Sequence, residues 1–243
     1  KQEKYNRSGL LFEKDRKVSN KISLITDNKV ILRLDRDEKK KISPEMERKL
    51  IAKFEKKISK LEILVLSNYS KGCITGRLFD AIKKRCLARK VKLIVDSHTM
   101  LDFSGVYLLK VNRSEFESMI GKNLSSRSEY LQYGWKFKRA NKIRNLLITL
   151  DKDGLILINT QNRCLLLKSR CDRALDACGA GDSMIAAVAA SLMCKMRLEQ
   201  AVNLGNYAAA ICCQKVGAYA VGDSEIQPFI ALGGRMEGGG EKL

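Results

Sequence analysis

Short apolar runs alternate with amphipathic segments along most of this chain. The apolar runs are four to six residues long and rich in Ile, Leu and Val, and they predict buried strands at 63–67, 91–95, 106–111 and 146–149. The segments between and after them have the apolar spacing of helices, which are predicted at 44–60, 75–89, 113–120, 125–144, 183–194 and 198–216. Strands that alternate with helices indicate an α/β fold with a mostly parallel sheet covered on both faces.

Two further segments have the strand–turn–strand pattern of a β-hairpin. Residues 22–35 alternate around the turn signal Asp27-Asn28, and residues 154–168 contain two apolar runs around a polar turn. Residues 1–20 are polar and without period, and the C-terminal end is rich in Gly and Glu. We therefore expect a loose segment at 1–20, one folded domain at 21–230 and a flexible tail at 231–243.

Composition narrows the class of protein. The chain has 243 residues, 45% of them hydrophobic, which is enough for one α/β domain with a substantial core. No apolar run approaches the roughly 20 residues of a membrane span, and the N-terminal residues are charged, so neither a membrane helix nor a secretory signal is predicted. Eight cysteines without a CxxC pair, and a single histidine, His98, do not have metal-ligand spacing. Reduced thiols in the cytoplasm or an organellar matrix are expected; the alternative is a reactive Cys178.

The chain carries 46 Lys and Arg against 27 Asp and Glu, a formal net charge of +19. Such a charge attracts RNA or another anionic surface through a salt-sensitive interaction that is blind to sequence. The alternative is that the lysines decorate the solvated faces of an ordinary enzyme, because they are interleaved with Glu, as in residues 45–57. Aromatic residues make up only 6% of the chain, which argues against a stacking platform for single strands.

One glycine-rich run lies just before the apolar helix predicted at 183–194. It extends from Asp176 to Asp182 and contains Gly179-Ala180-Gly181. Glycines at the start of a helix let backbone N–H groups converge on an anion, which the helix dipole also favours. A carboxylate beside such a phosphate site is suited to take a proton from a hydroxyl that attacks a phosphoryl group.

Polar residues follow four of the predicted strands. They are Asn68, Asp96, Asn112 with Glu115, and the segment 149–151. In an open α/β sheet, ligands bind beyond the carboxyl ends of the strands, so these residues predict one shared site. Each of them alone is also a normal turn or capping residue, and Asn112 with Glu115 fits a capped helix start.

Three segments together resemble the ribokinase or phosphofructokinase-B family of sugar kinases. Residues 176–182 match the family signature Asp-Thr-Thr-Gly-Ala-Gly-Asp except at Ala177 and Cys178, and residues 112–115 match its Asn-x-x-Glu motif. Residues 149–154 resemble its Thr-x-Gly-x-x-Gly turn, with Asp151 in place of a glycine. The resemblance implies a ribokinase-like three-layer α/β/α fold and ATP-dependent phosphorylation of a sugar or sugar phosphate.

Within the family, the chain is similar to the heptose-phosphate kinases. Residues 66–72 resemble their Leu-Ser-Asp-Tyr-x-Lys-Gly segment, and residues 20–35 resemble their lid-like strands. That branch transfers the γ-phosphate of ATP to the anomeric hydroxyl of D-glycero-D-manno-heptose 7-phosphate. The similarity implies substrate contacts at Asn68, Lys71 and Asp96.

The resemblance also assigns roles at the phosphate end of the site. Asp182 would be the general base, and the N–H groups of Gly179, Ala180 and Gly181 would stabilise the transferring phosphoryl group. It implies nucleotide contacts at Asn112, Glu115, Thr149, Asp151, Gly154, Asn206 and Gly217. Glu115 would organise Mg²⁺, directly or through water, and Asp176 would shape a loop for a monovalent cation such as K⁺.

The chain departs from the family pattern on the sugar side. Asn68 replaces an Asp, Ser97-His98 replaces a Pro-Lys pair, and no Gly-rich sugar-binding segment is recognisable. Without that segment an edge of the sheet is expected to be exposed, which predicts that a second copy or another chain covers it. A second interpretation follows: a catalytically degenerate kinase fold that serves as a basic scaffold, for example in a ribonucleoprotein assembly.

Overall fold

The computed structural model describes residues 7–14, 16–26, 29–171, 174–217 and 219–231, without the side chains of residues 29 and 30. The predicted turn Asp27-Asn28 and nearly all of the predicted tail at 231–243 lie outside the described residues. In the predicted loose segment 1–20, the described residues form one short 3₁₀ turn, Arg7–Gly9. They also contact the body of the domain, since Glu13 Oε1 accepts the Ser43 N–H at 2.8 Å. The division into segments stays a prediction.

Eight strands occur in the described part of the chain. Their bounds are β1 Asn20–Thr26, β2 Lys29–Arg36, β3 Ile63–Asn68, β4 Lys92–Ser97, β5 Leu108–Asn112, β6 Leu146–Thr149, β7 Leu155–Ile158 and β8 Cys164–Leu167. β1 and β2 form a separate antiparallel hairpin, and β3 to β8 form a six-stranded sheet in sequential order. β3 to β6 are parallel, whereas β7 and β8 join as antiparallel strands. The predicted hairpins and the mostly parallel sheet are confirmed.

Seven α-helices occur among the same residues. They are α1 Pro44–Ile58, α2 Gly76–Ala88, α3 Arg113–Ile120, α4 Arg127–Ala140, α5 Ala180–Met193, α6 Leu198–Cys213 and α7 Asp223–Ala231. α5 begins three residues earlier than the apolar pattern predicts, so the glycine-rich run itself opens the helix. α7 is not predicted by the pattern, because Pro228 interrupts its helical signal; Phe229 stacks on Tyr207 of α6 and packs the helix onto the domain.

The helices form one layer on each face of the six-stranded sheet. On one face, α1 to α4 pack through a core that includes Phe79, Phe116 and Phe137. On the other face, α5 and α6 pack through Val188 and Val202 against the opposite side chains of the strands. The fold is therefore the predicted three-layer α/β/α arrangement with an additional hairpin. No helix of the described residues is long and apolar enough to cross a membrane.

Two surfaces expose apolar or unpaired groups. Strand β3 is an edge of the sheet and pairs only with β4 among the described strands. On the hairpin, the cross-strand pairs Ile22–Leu34 and Leu24–Leu32 place four apolar side chains on one face, each about half exposed. All eight cysteines are described, and all are free thiols.

Candidate active site

Four parallel strands end at one edge of the sheet, which we call the carboxyl edge. Asn68 at the end of β3 is opposite Ser97 of β4, and Asn112 at the end of β5 is opposite Thr149 of β6. The antiparallel pairing of β7 and β8 brings Leu167, the last residue of β8, to the same edge. The chain then continues into α5, whose N-terminus also lies there. The strand-end residues singled out in the sequence and the glycine-rich run thus converge.

The N-terminus of α5 has the features of an anion-binding helix start. Gly179 is the N-cap with a φ of 83°, a left-handed conformation that favours glycine, and no side chain caps the helix. Side chains of Ser43, Thr75, Asn112 and Ser126 cap the helices α1 to α4. The first turn of α5 therefore presents backbone N–H groups and the positive end of the helix dipole to the carboxyl edge.

Asp182 lies in this first turn and is exposed. Its Oδ1 accepts a hydrogen bond from the Tyr69 hydroxyl, and Tyr69 follows β3 directly. Burial, together with the neighbouring Asp182 carboxylate, raises the pKa of Tyr69, so the phenol stays a neutral donor. The Tyr69 ring also contacts His98 edge to face, with ring centroids 5.5 Å apart. The candidate base is therefore held from the end of β3.

A buried ion pair lies between the strand ends and α5. Lys110 Nζ is 3.1 and 3.0 Å from the two carboxylate oxygens of Asp96, and each side chain is only 6% exposed. The two residues are register partners on β5 and β4. A Cβ on Gly181 would lie 2.7 Å from Lys110 Nζ, so glycine at this position lets the helix approach the ammonium. The ion pair thus places a positive charge against the start of α5.

Asn112 and Glu115 form the capping box of α3. Asn112 Oδ1 accepts the Glu115 N–H at 2.9 Å, and Glu115 Oε2 accepts the Asn112 N–H at 2.7 Å. Glu115 Oε1 is 3.4 Å from Nε2 of His98. Burial raises the pKa of Glu115, although the Asn112 N–H, Lys110 and His98 act in the opposite direction. The capping interpretation of this pair is confirmed, and the pair also lies at the carboxyl edge.

A cavity of about 370 Å³ opens between the ends of β5 and β6, the turn after β6, and the helices α5 and α6. Its lining includes five of the residues expected to contact a nucleotide: Asn112, Thr149, Asp151, Gly154 and Asn206. Ala180, Gly181 and Lys110 line the same cavity at the α5 end. Asn206 also fixes the wall, because its Nδ2 donates to the Lys168 carbonyl at 2.8 Å. Glu115, Asp182 and Gly217 lie outside this lining.

The turn after β6 depends on two unusual backbone conformations. Gly154 has a φ of 91°, and a Cβ there would lie 2.0 Å from the Leu167 carbonyl oxygen, so only glycine fits. Asp151 has a φ of 52°, in the left-handed region that glycine favours. This explains why the Thr-x-Gly-x-x-Gly turn has a glycine at the position that Asp151 occupies in this chain.

Asp176 ties the glycine-rich run to the loop after α6. Its Oδ1 accepts the Cys178 N–H at 2.9 Å, and its Oδ2 accepts the Gly217 N–H at 3.1 Å. The hairpin reaches the same run, since Arg33 of β2 donates to Cys178 Sγ at 3.1 Å. Asp35 lies 3.8 Å from Arg33 Nε on the same strand. The polar face of the hairpin therefore covers the start of α5, and its apolar face points away.

All three residues expected to bind substrate have partners inside the protein. Asn68 is buried, and its Nδ2 donates to Ser97 Oγ at 3.1 Å and to Thr99 Oγ1 at 3.3 Å. Lys71 forms an ion pair with Asp37, which follows the hairpin. Asp96, the third, is the partner of Lys110. None of the three lines the nucleotide-sized cavity.

Three residues of the site were missed by sequence reasoning. Lys110 had a usable signal, because a lysine inside the apolar strand Leu108–Asn112 is unusual unless it is paired. Tyr69 lies within residues 66–72, the segment similar to the heptose-phosphate kinases, but that similarity predicts no role for it. No sequence pattern predicts a role for Arg33, because its partner Cys178 is 145 residues away in the chain.

Comparison with known proteins agrees with this geometry. Bifunctional protein HldE of Campylobacter jejuni (strain RM1221) is 32% identical over 230 residues, 91% of this chain and 48% of that protein. Bifunctional protein HldE of Sulfurimonas denitrificans is 28% identical over 228 residues, 93% of this chain and 47% of that protein. The chain thus spans about half the length of the curated relatives it matches. These relatives confirm the predicted similarity to the heptose-phosphate kinase branch.

Solved structures show the same fold at lower identity. Phosphofructokinase-2 from Escherichia coli in complex with potassium superposes with a TM-score of 0.69 at 19% identity, over 80% of this chain and 64% of that one. Ribokinase of Arabidopsis thaliana complexed with ribose and ATP gives a TM-score of 0.59 at 19% identity, over 74% of this chain and 55% of that one. The family model described as pfkB family carbohydrate kinase matches residues 14–225. The chain therefore belongs to the pfkB family of carbohydrate kinases.

Proposed function

We propose that this chain transfers the γ-phosphoryl group of ATP to a hydroxyl of a sugar phosphate, with Asp182 as the general base. The observation that carries the proposal is the position of Asp182 in the first turn of α5. There its carboxylate lies beside an N-terminus that no side chain caps, and next to a cavity of nucleotide size. A carboxylate and an anion site at one helix start supply the two things that phosphoryl transfer needs, positioning and charge stabilisation.

ATP occupies the cavity with its phosphates toward α5. The cavity volume of about 370 Å³ falls within the range of small-molecule sites. Thr149 and Gly154 lie near the strand end and Asn206 on the far wall, so the base and ribose face the α6 side. Lys110 then lies at the phosphate end, where its ammonium acts as a point charge on the phosphates.

Glu115 and Asn112 fit a role in holding Mg²⁺. Mg²⁺ keeps several waters and binds through one or two carboxylates together with substrate phosphates, so one buried carboxylate beside the phosphate end suffices. When bound, the metal ion neutralises charge on the phosphates. Asp176, which joins the glycine-rich run to the Gly217 loop, is the residue we propose to shape a K⁺-binding loop.

In the chemical step, Asp182 takes the proton of the substrate hydroxyl as its oxygen attacks the γ-phosphorus. The bond from the γ-phosphorus to the bridging oxygen breaks, and ADP leaves. The N–H groups of Gly179, Ala180 and Gly181 stabilise the charge on the transferring group; one such donor contributes roughly 10²- to 10³-fold in other enzymes. Tyr69 holds the Asp182 carboxylate in place from the other side.

The acceptor we propose is a heptose 7-phosphate or a related sugar phosphate, bound between the end of β3 and the hairpin. The similarity of residues 66–72 to the heptose-phosphate kinases supports this choice. Lys71, Asn68 and Asp96 lie on that side, and they must exchange internal partners to contact the sugar. The polar face of the hairpin, with Arg33, closes over the same space.

We also propose that a second copy of the chain covers the apolar face of the hairpin. Ile22, Leu24, Leu32 and Leu34 form a patch too exposed for a free two-stranded sheet. Sedimentation of the wild type should give a dimer, and Leu24→Glu with Leu32→Glu should give a monomer. An unchanged sedimentation coefficient would reject this interface.

ADP release in the presence of ATP and a panel of sugars and sugar phosphates tests the catalytic proposal. Asp182→Asn should lose about 10²- to 10⁴-fold in kcat, the range of general-base catalysis, with its melting temperature retained. Asp223→Asn is the matched control, because Asp223 also lies in the first turn of a helix, α7, but away from the carboxyl edge. Equal turnover by wild type and Asp182→Asn on every acceptor would overturn the proposal.

A further inference from the structure

About half of the net positive charge of the chain lies at one end of the molecule. The connections that lead into the strands lie at the edge of the sheet opposite the candidate site, and we call their exposed surface the amino pole. Four of them, residues 56–62, 89–92, 139–145 and 159–163, together with the connection 194–199 between α5 and α6, carry twelve cations. Their cations are Lys56, Lys57, Lys60, Arg89, Lys90, Lys92, Arg139, Lys142, Arg144, Arg163, Lys195 and Arg197.

The topology brings these connections together. The C-terminal ends of α1, α2 and α4 lead into β3, β4 and β6, and the turn between β7 and β8 ends at the same edge. α5 starts at the carboxyl edge and therefore ends at the amino pole, where Lys195 Nζ is 2.5 Å from Glu62 of the connection before β3. Six strands about 4.8 Å apart give the pole a width of about 24 Å.

Few acidic groups neutralise this surface. The five connections contain two carboxylates, Glu62, which pairs with Lys195, and Glu199, which accepts a hydrogen bond from Asn159 Nδ2 at 2.7 Å. Glu55, just before the first connection, pairs with Arg85 of α2. All twelve cations are exposed except Lys92, which is half-buried.

Helix dipoles explain only part of the pattern. Cations are stabilised in the last turn of a helix, which accounts for Lys56, Lys57 and Arg139. Arg144 and Arg163 lie farther from the helix C-termini, where no dipole favours them. A surface with more cations than its helix dipoles account for attracts an anionic partner.

The polar groups among these cations favour a nucleic acid over a lipid surface. The turn 159–163 exposes Thr160, Gln161 and Asn162 beside Arg163, and these side chains hydrogen-bond phosphate and sugar oxygens. Tyr107, at the centre of the edge, lies under Lys92 and Arg144, with the cations 5.3 and 5.6 Å from its ring centroid. A surface that inserts into a membrane needs a continuous set of apolar side chains, and among the described residues at this pole only Leu87 and Met193 are large, apolar and about half exposed.

We propose that the amino pole binds the phosphodiester backbone of a nucleic acid without reading its sequence. The binding is independent of phosphoryl transfer, because the pole and the candidate active site lie at opposite edges of the sheet. When the pole neutralises four phosphates of a single-stranded RNA, the logarithm of the association constant should fall with the logarithm of the salt concentration at a slope of about −3. Dissociation constants of roughly 10⁻⁴ to 10⁻⁶ M are expected near physiological salt.

Fluorescence anisotropy of a labelled RNA of about 20 nucleotides, titrated with the whole chain at about 50 and 200 mM KCl, tests the proposal. The pole variant is Lys57→Gln, Lys90→Gln, Lys142→Gln and Arg163→Gln. The control variant is Lys39→Gln, Lys40→Gln, Lys41→Gln and Lys84→Gln, which removes the same charge from exposed lysines elsewhere. The pole variant should lose at least about tenfold in affinity and have a shallower salt slope, whereas the control should lose less than about twofold in affinity.

Equal losses of RNA affinity in the two variants would reject the amino pole as the binding surface, because the net charge of the chain alone would then account for binding. Absence of binding by the wild type at the lower salt would reject the proposal as a whole. Vesicles of anionic phospholipid, titrated under the same conditions, distinguish the membrane alternative: tighter binding to vesicles than to RNA would overturn the nucleic-acid assignment. A DNA strand of the same sequence tells whether the 2′-hydroxyl contributes.

Discussion

The two sides of the candidate site are built in different ways. The nucleotide side is a cavity between the strand ends, the turn after β6 and the small residues of α5 and α6, with Gly181 and Gly154 where elements approach closely. The acceptor side consists of side chains that already have partners. Asn68 donates to Ser97, and Lys71 pairs with Asp37.

The difference teaches where rearrangement is needed. A cavity formed by packed backbone is present before the ligand arrives, so binding there costs little reorganisation. An acceptor that uses Lys71 or Asn68 must replace an internal hydrogen bond or ion pair, and an unreplaced buried partner costs about 1–3 kcal/mol. We therefore expect substitutions on the nucleotide side to abolish a preformed site, and substitutions on the acceptor side to have smaller effects that appear mainly in turnover.

Of the substitutions that test the contrast between the two sides, Gly181→Ala should have the largest effect. The added Cβ lies 2.7 Å from Lys110 Nζ, so the ammonium must move away from its close approach to α5 while Asp96 holds it. Loss of a well-placed charge and distortion of the N–H cradle should lower kcat/KM by about 100-fold, about 2.7 kcal/mol of transition-state stabilisation. Steady-state ADP release measures this loss.

Gly76→Ala is the matched control, since Gly76 also opens a helix, α2, and a Cβ there meets nothing within 4 Å. It should leave kcat/KM unchanged. Full activity of Gly181→Ala would show that the start of α5 is not tightly preformed, and the contrast between the two sides would fail.

The fold, and the position of the candidate nucleotide-side residues at one edge of the sheet, could be predicted from the sequence because their signals are local. The glycines at 179 and 181, the capping box at 112–115 and the apolar strands each depend on residues within a few positions of one another. Strand ends of a parallel sheet meet at one edge, so local signals were enough to gather the site. Helix α7 escaped prediction because Pro228 contradicts its local pattern, and the packing of Phe229 on Tyr207 decides the outcome.

The acceptor side could not be predicted to the same depth, because its contacts join distant parts of the chain. Tyr69 and Asp182 are 113 residues apart, and Arg33 and Cys178 are 145 residues apart. Asp96 was recognised at a strand end, but its pairing with Lys110 depends on the register of β4 and β5. A sequence pattern identifies which residues reach the carboxyl edge, and the register decides which of them bond to each other.

Tyr69→Phe should have an intermediate effect and should act on turnover. It removes the hydroxyl that bonds to Asp182 and keeps the ring against His98. One hydrogen bond of about 0.5–1.5 kcal/mol corresponds to a loss of roughly 2- to 12-fold in kcat, with the KM for ATP unchanged. Tyr207→Phe is the control, because Tyr207 stacks on Phe229 away from the site. A change in the KM for ATP as large as the change in kcat would show that Tyr69 does not act on the acceptor side alone.

The smallest expected effect is a difference in the pH dependence of stability between two capping boxes. These are Asn112–Glu115 on the nucleotide side and Ser126–Glu129 on the outer helix α4. Burial raises the pKa of Glu115, so its contribution to stability is present below the ordinary pKa and is lost as the pH rises through the raised one. The N–H groups of Ser125 and Ser126 lower the pKa of Glu129, so its contribution is present above the ordinary pKa and is lost as the pH falls.

Glu115→Gln keeps a side-chain oxygen for the Asn112 N–H but removes the buried charge. Its melting temperature relative to the wild type should therefore rise between about pH 4 and pH 7.5, by about 2–4 °C for each 1 kcal/mol. Glu129→Gln should change in the opposite direction over the same range, because it loses a carboxylate that hydrogen bonds stabilise. Differential scanning calorimetry at the two pH values measures both differences. Shifts of the same sign would mean that Glu115 is as well solvated as Glu129, and that the nucleotide side lacks the buried carboxylate on which the Mg²⁺ proposal depends.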